Sequence, residues 1–217
     1  MAGPFQVDLR ERAPESVAQV SLAGLILAGG ASTRMGSPKA LLACQGETFL
    51  DRLIGILATC CRPVIVVLGH EAETIRAGLS RAGQATFVVN ENYQDGQLSS
   101  LQCGLAAVPA EPDGVLFTPV DHPAVAPATV AALTEAFARR AGALVIPRFR
   151  GRHGHPVCCA RELIPEFLAL GGDSQAREVI HRHSSQTCYV DVDDPGILAD
   201  VDDPEAYRSL IQSPERP

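Results

Sequence analysis

A glycine-rich segment that carries two cations follows the first apolar run of the chain. Gly29, Gly30 and Gly36 allow the backbone to approach a ligand closely and to turn through positive φ angles. Successive N–H groups in such a loop can form a concave nest for an anion. Arg34 adds a planar guanidinium and Lys39 a mobile point charge, and both suit phosphate oxygens. The segment therefore predicts a loop that binds a nucleotide polyphosphate, the alternative being a plain glycine turn with surface charges.

Two common phosphate-binding loops do not match this segment. A Walker A loop has lysine and then serine or threonine directly after its last glycine, whereas Gly36 is followed by Ser37, Pro38 and Lys39. A dinucleotide-binding loop requires the pattern GxGxxG, which the segment lacks. The segment must therefore bind phosphate by another arrangement.

Two histidine pairs, HGH at residues 153–155 and HRH at residues 181–183, have the residue type of a zinc site but not its spacing. Neither pair has a carboxylate, a cysteine or a third histidine where zinc ligands usually lie. The seven cysteines include two adjacent pairs and form no CxxC pattern, which argues against both a zinc site and a disulfide framework. The sequence therefore predicts reduced cysteines and a cytoplasmic location.

Apolar runs alternate with helical patterns along most of the chain, and this order fixes where the polar segments lie. Strands are predicted at residues 22–28, 63–68, 85–89, 114–118, 143–146 and 187–192. Helices are predicted at residues 49–60, 72–82, 97–108, 127–140, 160–170 and 173–183, and from residue 204 onward. Residues 148–158 are predicted as an irregular or hairpin excursion. The alternation predicts an α/β fold with a mostly parallel sheet and helices on both faces.

Four polar segments directly follow predicted strands and are the candidate sites. They cover residues 29–39, 90–100, 119–123 and 148–155. In an open parallel sheet, ligands bind beyond the carboxyl ends of the strands, at the crevice where the strand order reverses. We therefore expect the chemistry at that edge of the sheet.

The composition of the 217 residues excludes several classes of function. A net charge of −7 provides no overall field for collecting nucleic acid, and no apolar run reaches the roughly 20 residues that cross a bilayer. We therefore expect no nucleic acid and no membrane among the partners. Residues 1–20 interleave acids with arginines and lack an apolar stretch, which predicts a polar, flexible tail before a single domain at residues 21–213.

The segment LAGGASTRMGSPK at residues 27–39 resembles the LAGG-x-S-x-RMG-x-x-K motif of the MobA-like nucleotidyltransferases. Members of this family transfer an NMP from an NTP to a phosphorylated acceptor. The resemblance extends over residues 22–207, and segments 92–104, 150–157 and 172–177 are most similar to the molybdenum cofactor cytidylyltransferase branch. It implies a Rossmann-like three-layer sandwich with a mostly parallel sheet, of the nucleotide-diphospho-sugar transferase type.

The resemblance implies a nucleotide site in which Arg34 and Lys39 hold the triphosphate and act in catalysis. The residues implied to surround the nucleotide are Leu27, Ala28, Gly29, Gly30, Ser32, Arg34, Met35, Gly36, Lys39, Gly96, Ser99 and Ser100. The last three resemble residues near the base or the ribose. They also begin a predicted helix, whose N-terminus favours an anionic ligand in any case.

The resemblance also implies a Mg²⁺ site formed by two aspartates. Asp121, in TPVDHP, follows a buried predicted strand and matches the family's metal-binding and catalytic aspartate. Asp202 lies in DVDDPEAY, which resembles the family's DIDTPED segment but has Asp203 for threonine and Ala206 for the final aspartate. Mg²⁺ prefers such oxygen ligands. The alternatives are that Asp121 caps the turn before Pro123 and that Asp203 caps the last helix.

On the acceptor side, the resemblance implies contacts from His155, Asp173 and Arg177. The implied reaction transfers CMP from CTP to the phosphate of molybdopterin, the organic part of the molybdenum cofactor, and releases pyrophosphate. A client molybdoenzyme is a further expected partner. Three alternatives stay open: the same chemistry with GTP and molybdopterin or with an NTP and a sugar phosphate, a glycosyltransferase of related fold, and a non-catalytic carrier of the molybdenum cofactor. The long loop before Lys39 and the lack of a central DxD pattern argue against the glycosyltransferase.

Overall fold

The apolar runs of the chain form one eight-stranded sheet in the computed structural model, which describes residues 20–212. In chain order, the strands are β1 (Leu22–Ala28), β2 (Ala43–Cys44), β3 (Glu47–Thr48), β4 (Val64–Leu68), β5 (Thr86–Val89), β6 (Gly114–Pro119), β7 (Leu144–Phe149), β8 (Arg152–His153), β9 (Val157–Ala160) and β10 (Thr187–Asp191). β2 and β3 form a separate antiparallel pair. The main sheet has the order β10-β7-β9-β6-β1-β4-β5, with β8 alongside β7.

The direction of the strands places the carboxyl ends of the central ones on one edge. β1 is parallel to both β4 and β6, and β4 is parallel to β5. β9 is antiparallel to its neighbours β6 and β7, while β10 is parallel to β7. The chain moves outward from β1 through β4 to β5 and then returns on the other side of β1 as β6. This reversal creates a crevice beyond the ends of β1 and β6.

Helices cover both faces of the sheet and complete a three-layer α/β sandwich. They are α1 (Phe49–Leu57), α2 (Ala72–Ala77), α3 (Gln97–Ala106), α4 (Pro127–Ala138), α5 (Ile164–Leu168), α6 (Arg177–Arg182) and α7 (Pro204–Gln212). Because successive side chains of a strand point to opposite faces, Ile26 and Leu25 of β1 enter different hydrophobic clusters. Ile26 shares its cluster with side chains of α1 and α4, and Leu25 with those of α3 and α5. The mostly parallel α/β architecture expected from the sequence is confirmed.

Several elements differ from the sequence-based prediction, among them the helix predicted at residues 72–82, which ends at Ala77, and the unpredicted pair β2 and β3. The irregular excursion predicted at residues 148–158 is wrong at its end, because Val157–Ala160 form β9 in the interior of the sheet. Both cysteines of β9 are fully buried, but a four-residue run that follows a proline is too short to show a strand pattern. The helix predicted at residues 173–183 begins only at Arg177.

The predictions made from composition concern the N-terminal tail, membrane-spanning segments and the cysteines. The polar tail predicted at residues 1–20 lies outside the described residues except for Val20, and the single domain at residues 21–213 stays a prediction. Within residues 20–212, every helix is too short or too polar to span a bilayer. All seven cysteines lie in this part of the chain, and none of them forms a disulfide bond there.

A buried carboxylate, Asp51, fixes the start of α1 to the loop after α2. It accepts hydrogen bonds from the backbone N–H of Arg81 at 2.7 Å and of Ser80 at 3.2 Å, and from the hydroxyl of Thr48 at 2.9 Å. Burial by itself raises the pKa of Asp51, but these hydrogen bonds outweigh it and hold the pKa below its ordinary value. The ionised form is therefore the one that stabilises the fold.

We expect Asp51→Asn to lower the free energy of unfolding by about 2 kcal/mol at pH 7, because two backbone donors lose a charged acceptor. The folded-state pKa is lowered, so this stabilisation is present above the unfolded-state pKa of about 3.9 and is lost as pH falls through the folded-state value. Urea unfolding of both proteins between pH 7 and pH 3 measures the difference. A difference that stays constant down to pH 3 contradicts this role of the charge.

Candidate active site

A cleft of about 320 Å³ opens at the carboxyl ends of β1 and β6, where the strand order reverses. Its lining comes mainly from the glycine-rich loop after β1, the start of α3 and the residues at the end of β6, and Ile75 and Asp202 complete it. Of the residues predicted to surround the nucleotide, those that line the cleft are Leu27, Ala28, Gly29, Gly30, Ser32, Arg34, Lys39, Gly96 and Ser100. Met35, Gly36 and Ser99 lie outside its lining. The structure thus brings most of the predicted nucleotide residues together.

The glycine-rich loop is closed by Ser32, which has a positive φ of 50°. The hydroxyl of Ser32 accepts a hydrogen bond from the backbone N–H of Lys39 at 3.0 Å, and its carbonyl accepts one from that of Met35 at 2.9 Å. Gly36 also has a positive φ, 69°, which suits a residue without a side chain. These bonds fold the loop back on itself and bring Lys39 to the mouth of β1.

The N-terminus of α3 faces the cleft, with Gly96 preceding the helix at a φ of 95°. The buried side-chain amide of Asn90 donates to the hydroxyls of Ser99 at 2.9 Å and Ser100 at 3.1 Å. Ser99 in turn donates to the carbonyl of Gly96 at 2.8 Å. Ser99 therefore holds the turn in place, while the backbone N–H groups at the helix start remain oriented towards an anion in the cleft.

A single ammonium group links the glycine-rich loop to the two predicted metal-binding aspartates. The Nζ of Lys39 lies 2.5 Å from Oδ1 of Asp202 and 3.5 Å from Oδ2 of Asp121. The hydrogen bond from Lys39 is the largest influence on the Asp202 carboxyl and holds its pKa below the ordinary value. The side chain of Lys39 is only 13% exposed, so the charge of Lys39 acts directly on both carboxylates.

Two further residues, His122 and Asp200, complete this charged cluster and were not predicted as site residues. The Nε2 of His122 lies 3.9 Å from Oδ1 of Asp121, and burial lowers the pKa of His122. Partial burial, together with the charges of Asp121 and Asp202, raises the pKa of Asp200. Oδ1 of Asp121 and Nδ1 of His122 are buried without a hydrogen-bond partner among residues 20–212. Their positions beside two predicted ligands were the only sequence signal for these residues.

The segment that carries Asp200 and Asp202 is fixed by backbone and side-chain bonds. The backbone N–H of Val201 donates to the carbonyl of Asp121 at 2.9 Å, and the side chain of Val201 is buried. Upstream, the buried carboxylate of Asp194 accepts from the N–H groups of Ala126 and Gly196, each at 2.8 Å. Asp194 thereby attaches the turn before this segment to the start of α4.

The residues predicted on the acceptor side lie in two different places. The ring of His155 is 4.8 Å from that of His122 and 6.5 Å from that of Phe117. Burial, reinforced by the charge of His122, lowers the pKa of His155 to about 3, so its ring is uncharged near neutral pH. Asp173 and Arg177 are exposed and do not line the cleft. The structure therefore places His155 next to the charged cluster and leaves Asp173 and Arg177 on the surface near the start of α6.

A family model of the MobA-like NTP transferase domain matches residues 24–187. The chain belongs to the MobA-like NTP transferase family. This agrees with the cleft, in which a glycine-rich loop, a helix N-terminus and a carboxylate cluster meet at the strand reversal.

Curated relatives of this MobA-like protein act on the molybdenum cofactor. The molybdenum cofactor cytidylyltransferase of Escherichia coli (strain K12) is 24% identical over 183 residues, which are 84% of this chain and 92% of that protein. A probable molybdenum cofactor guanylyltransferase of Bacillus cereus is 30% identical over 132 residues, or 60% of this chain and 63% of that protein. The match to the guanylyltransferase thus spans a little under two thirds of its length.

Solved structures show the same architecture. Rv0371c from Mycobacterium tuberculosis superposes with a TM-score of 0.75 at 28% identity, covering 89% of this chain and all of that one. A complex of the same protein with manganese superposes with a TM-score of 0.73 at 27% identity, over 89% of this chain and all of that one. The family match, the relatives and the shared fold establish the chain as a nucleotidyltransferase of Rossmann-like type.

Proposed function

We propose that this MobA-like enzyme transfers CMP from CTP to the phosphate of molybdopterin in the molybdenum cofactor, releasing pyrophosphate, with the help of a divalent cation. The observation that carries the proposal is the meeting of Lys39 with Asp121 and Asp202 at the mouth of the glycine-rich loop. That arrangement suits the transfer of a nucleotidyl group between two anions. The similarity to the E. coli molybdenum cofactor cytidylyltransferase supports the choice of base and acceptor.

The nucleotide is assigned to the cleft. Backbone N–H groups of the glycine-rich loop and the start of α3 would surround the triphosphate, and Arg34 and Lys39 would offset its charge. Gly96 and Ser100 also line the cleft, and we place the ribose and base beside them, with Ser99 supporting the turn. Arg34 is exposed at the rim, so its guanidinium can reach phosphate oxygens.

The charged cluster fits a divalent cation. Three carboxylates, Asp121, Asp200 and Asp202, lie around the ammonium of Lys39, and the guanidinium of Arg34 also acts on Asp202, so one negative charge is left in excess when all are ionised. One carboxylate oxygen of Asp121 is buried without a partner among the described residues. Asp121 and the aspartates of the 200–202 segment, where Asp202 is the ligand implied by the family resemblance, would hold the ion. When bound, Mg²⁺ or a similar ion would neutralise charge on the phosphates during transfer.

In the proposed reaction, an oxygen of the acceptor phosphate attacks the α-phosphorus of CTP in line with the departing pyrophosphate. The new P–O bond forms as the bond to the β-phosphate oxygen breaks, and the acceptor needs no covalent intermediate with the protein. The protein holds both anions in this geometry and, through Lys39 and Arg34, offsets the negative charge of the transition state. Most of the rate enhancement thus comes from position and electrostatics.

The acceptor is assigned to the His155 side of the cluster. His155 lies next to His122, whose ring borders Asp121, so an acceptor held there would approach the α-phosphate from the side opposite the glycine-rich loop. Asp173 and Arg177 are exposed near the start of α6 and would contact the acceptor only at the rim. A client molybdoenzyme and a cytoplasmic location stay predictions.

A second candidate function is transfer of GMP from GTP to molybdopterin, which the 30% identity to the Bacillus cereus guanylyltransferase favours. Thermal unfolding with CTP, GTP, ATP or UTP, each with and without Mg²⁺ or Mn²⁺, separates the two. We expect CTP with a divalent ion to give the largest rise in melting temperature, since a ligand at 100 times its Kd stabilises by about 2.7 kcal/mol. Pyrophosphate release with CTP and molybdenum cofactor then tests turnover.

Three other results would contradict the proposed transfer of CMP. A larger shift and faster turnover with GTP would establish the guanylyl alternative. Binding of molybdenum cofactor without any nucleotide effect would establish a carrier and contradict enzymatic transfer. If none of the four nucleotides changes the melting temperature, the assignment of the glycine-rich loop is contradicted.

A further inference from the structure

We propose that the divalent ion of this site is bound by Asp121, His122 and Asp200, and that the nitrogen ligand makes the site bind Mn²⁺ more tightly than Mg²⁺. Asp202 is then the partner of Lys39 and not a metal ligand. The catalytic meaning of this ligand set rests on the proposed function, whereas the set itself rests on the geometry of the cluster.

The three side chains converge on one point. One potential ligand atom from each of Asp121, His122 and Asp200 lies within 4.8 Å of the others. The Nε2 of His122 is 3.9 Å from Oδ1 of Asp121. The donor atoms of a single bound ion lie about 3–4 Å apart, given metal–ligand bonds near 2.1 Å. Small side-chain rotations therefore suffice to bring these atoms onto one ion.

The two oxygens of Asp121 face two different cation positions. Oδ2 faces the ammonium of Lys39 at 3.5 Å, and the same ammonium binds Asp202 at 2.5 Å. Oδ1 faces His122 and is buried without a hydrogen-bond partner among residues 20–212. Buried polar atoms are seldom left without a partner in native proteins. Oδ1 therefore marks a second cation position, distinct from the one that Lys39 fills.

His122 is buried beside the cluster, and packing restricts its ring. Its side chain is only 11% exposed, and its Nδ1 has no hydrogen-bond partner among the described residues. The ring of His155 packs against it at 4.8 Å between centroids, which restricts its orientation. The Nε2 of His122 faces Oδ1 of Asp121 at 3.9 Å, beyond hydrogen-bond distance, so this nitrogen is the one that can turn its lone pair towards an ion.

Asp200 is the solvent-exposed member of the three proposed ligands. It is separated from Asp202 by the buried Val201, whose backbone N–H is bonded to the carbonyl of Asp121. Asp200 is exposed and lies close to the like charges of Asp121 and Asp202. An ion bound there lowers this repulsion and keeps coordination positions open towards the cleft for phosphate oxygens.

The mixed donor set determines the class of ion. Mg²⁺ is bound through oxygen ligands and keeps several waters, whereas an imidazole nitrogen suits first-row transition ions. A set with two carboxylates and one imidazole therefore favours Mn²⁺ over Mg²⁺. A set of Asp121 and Asp202 alone would show a smaller preference, because carboxylate oxygens suit both ions.

The test measures metal binding to the full chain without nucleotide. Pulsed EPR of the Mn²⁺-loaded protein should show ¹⁴N coupling from a directly bound imidazole, and the coupling should change to that of ¹⁵N when histidine is isotopically labelled. His122→Ala should remove the coupling and weaken Mn²⁺ binding at least about tenfold, with a smaller loss for Mg²⁺. His153→Ala is the matched control, because His153 stacks on Tyr189 and lies outside the set.

The two aspartates of the C-terminal segment give the second comparison. Asp200→Asn should weaken the binding of Mn²⁺ and of Mg²⁺, and Asp202→Asn should change either by less than about threefold, the reverse of the resemblance-based assignment. Absence of ¹⁴N coupling in the wild-type protein, coupling that survives in His122→Ala, or an equal loss from both aspartate variants overturns the ligand set. Because the wild-type spectrum needs no variant, misfolding of His122→Ala does not remove the test.

The failure of this inference is distinguishable from that of the proposed function. An active CMP transferase without ¹⁴N coupling contradicts the ligand set alone. A protein with ¹⁴N coupling that transfers no nucleotide contradicts the proposed function alone.

Discussion

Replacing Asp121 with asparagine will reduce nucleotidyl transfer about a thousandfold or more while the fold is retained, because a metal ion contributes several kcal/mol of charge stabilisation in such reactions. Asp121 is the one residue of the cluster that faces both Lys39 and His122, through its two separate oxygens. The amide cannot supply either negative charge. Steady-state release of pyrophosphate from CTP and molybdenum cofactor, at saturating Mg²⁺ and again at saturating Mn²⁺, measures the effect.

The matched control for this variant is Asp193→Asn, an exposed carboxylate after β10 that does not line the cleft. Its activity should stay within about twofold of wild type, since exposed charges outside a site act weakly. The melting temperature of Asp121→Asn should change by no more than about 4 °C, as for a change near 1 kcal/mol in a chain of this size. Full activity of Asp121→Asn with either ion would remove Asp121 from the reaction.

Lys39→Ala is expected to lower kcat/KM for CTP by about a hundred- to a thousandfold, the size of loss seen when one preorganised donor to a developing charge is removed. Lys39 is the only lysine in a chain whose lysines and arginines number 18. Its compact ammonium lies between two carboxylates where a planar guanidinium would need more space. Lys39→Arg should therefore restore only part of the activity.

Arg139→Ala is the control for the loss of a positive charge, because Arg139 is exposed on α4 and pairs with Glu135 away from the cleft. Initial rates over a range of CTP concentrations, at fixed acceptor, separate kcat from KM for all three variants. If Lys39→Ala keeps the wild-type kcat and KM, the ammonium takes no part in binding or transfer, and the assignment of the glycine-rich loop fails with it.

The local hydrophobic pattern of the sequence was sufficient to predict the central strands but not to predict β9. β1 is predicted at residues 22–28 and observed there, because a continuous apolar run that ends in two glycines is typical of a strand buried on both faces. In β9 (Val157–Ala160) the first three residues are equally buried, but four residues are too few to show a periodicity. Their place depends on pairing with Gly114–Pro119 and Leu144–Phe149, which are distant in sequence. Such pairing depends on the whole topology and not on the local pattern.

In the candidate site, too, some residues could be predicted from local sequence and others could not. The glycine-rich loop and Asp121 could be placed from sequence because each directly follows a strand that ends at the cleft. His122 was missed because no pattern distinguishes it from its neighbours. Asp200 was missed because the C-terminal segment contacts Asp121 only in the folded chain, through bonds such as that from Val201 to Asp121. Contact between two remote segments leaves no periodic trace in either of them. The roles assigned to all these residues stay predictions until the variants are measured.

The C-terminal segment supplies part of the candidate site, although it lies outside the residues that the family model matches. The family match ends at residue 187, yet Asp200 and Asp202 lie beyond it, and the hydroxyl of Tyr207 bonds back to the carbonyl of Ala43 at 2.9 Å. The end of the family match therefore divides the charged cluster. Lys39 and Asp121 lie within the matched residues, whereas Asp200 and Asp202 lie beyond them. A comparison restricted to the matched residues therefore omits two of the three carboxylates of the cluster.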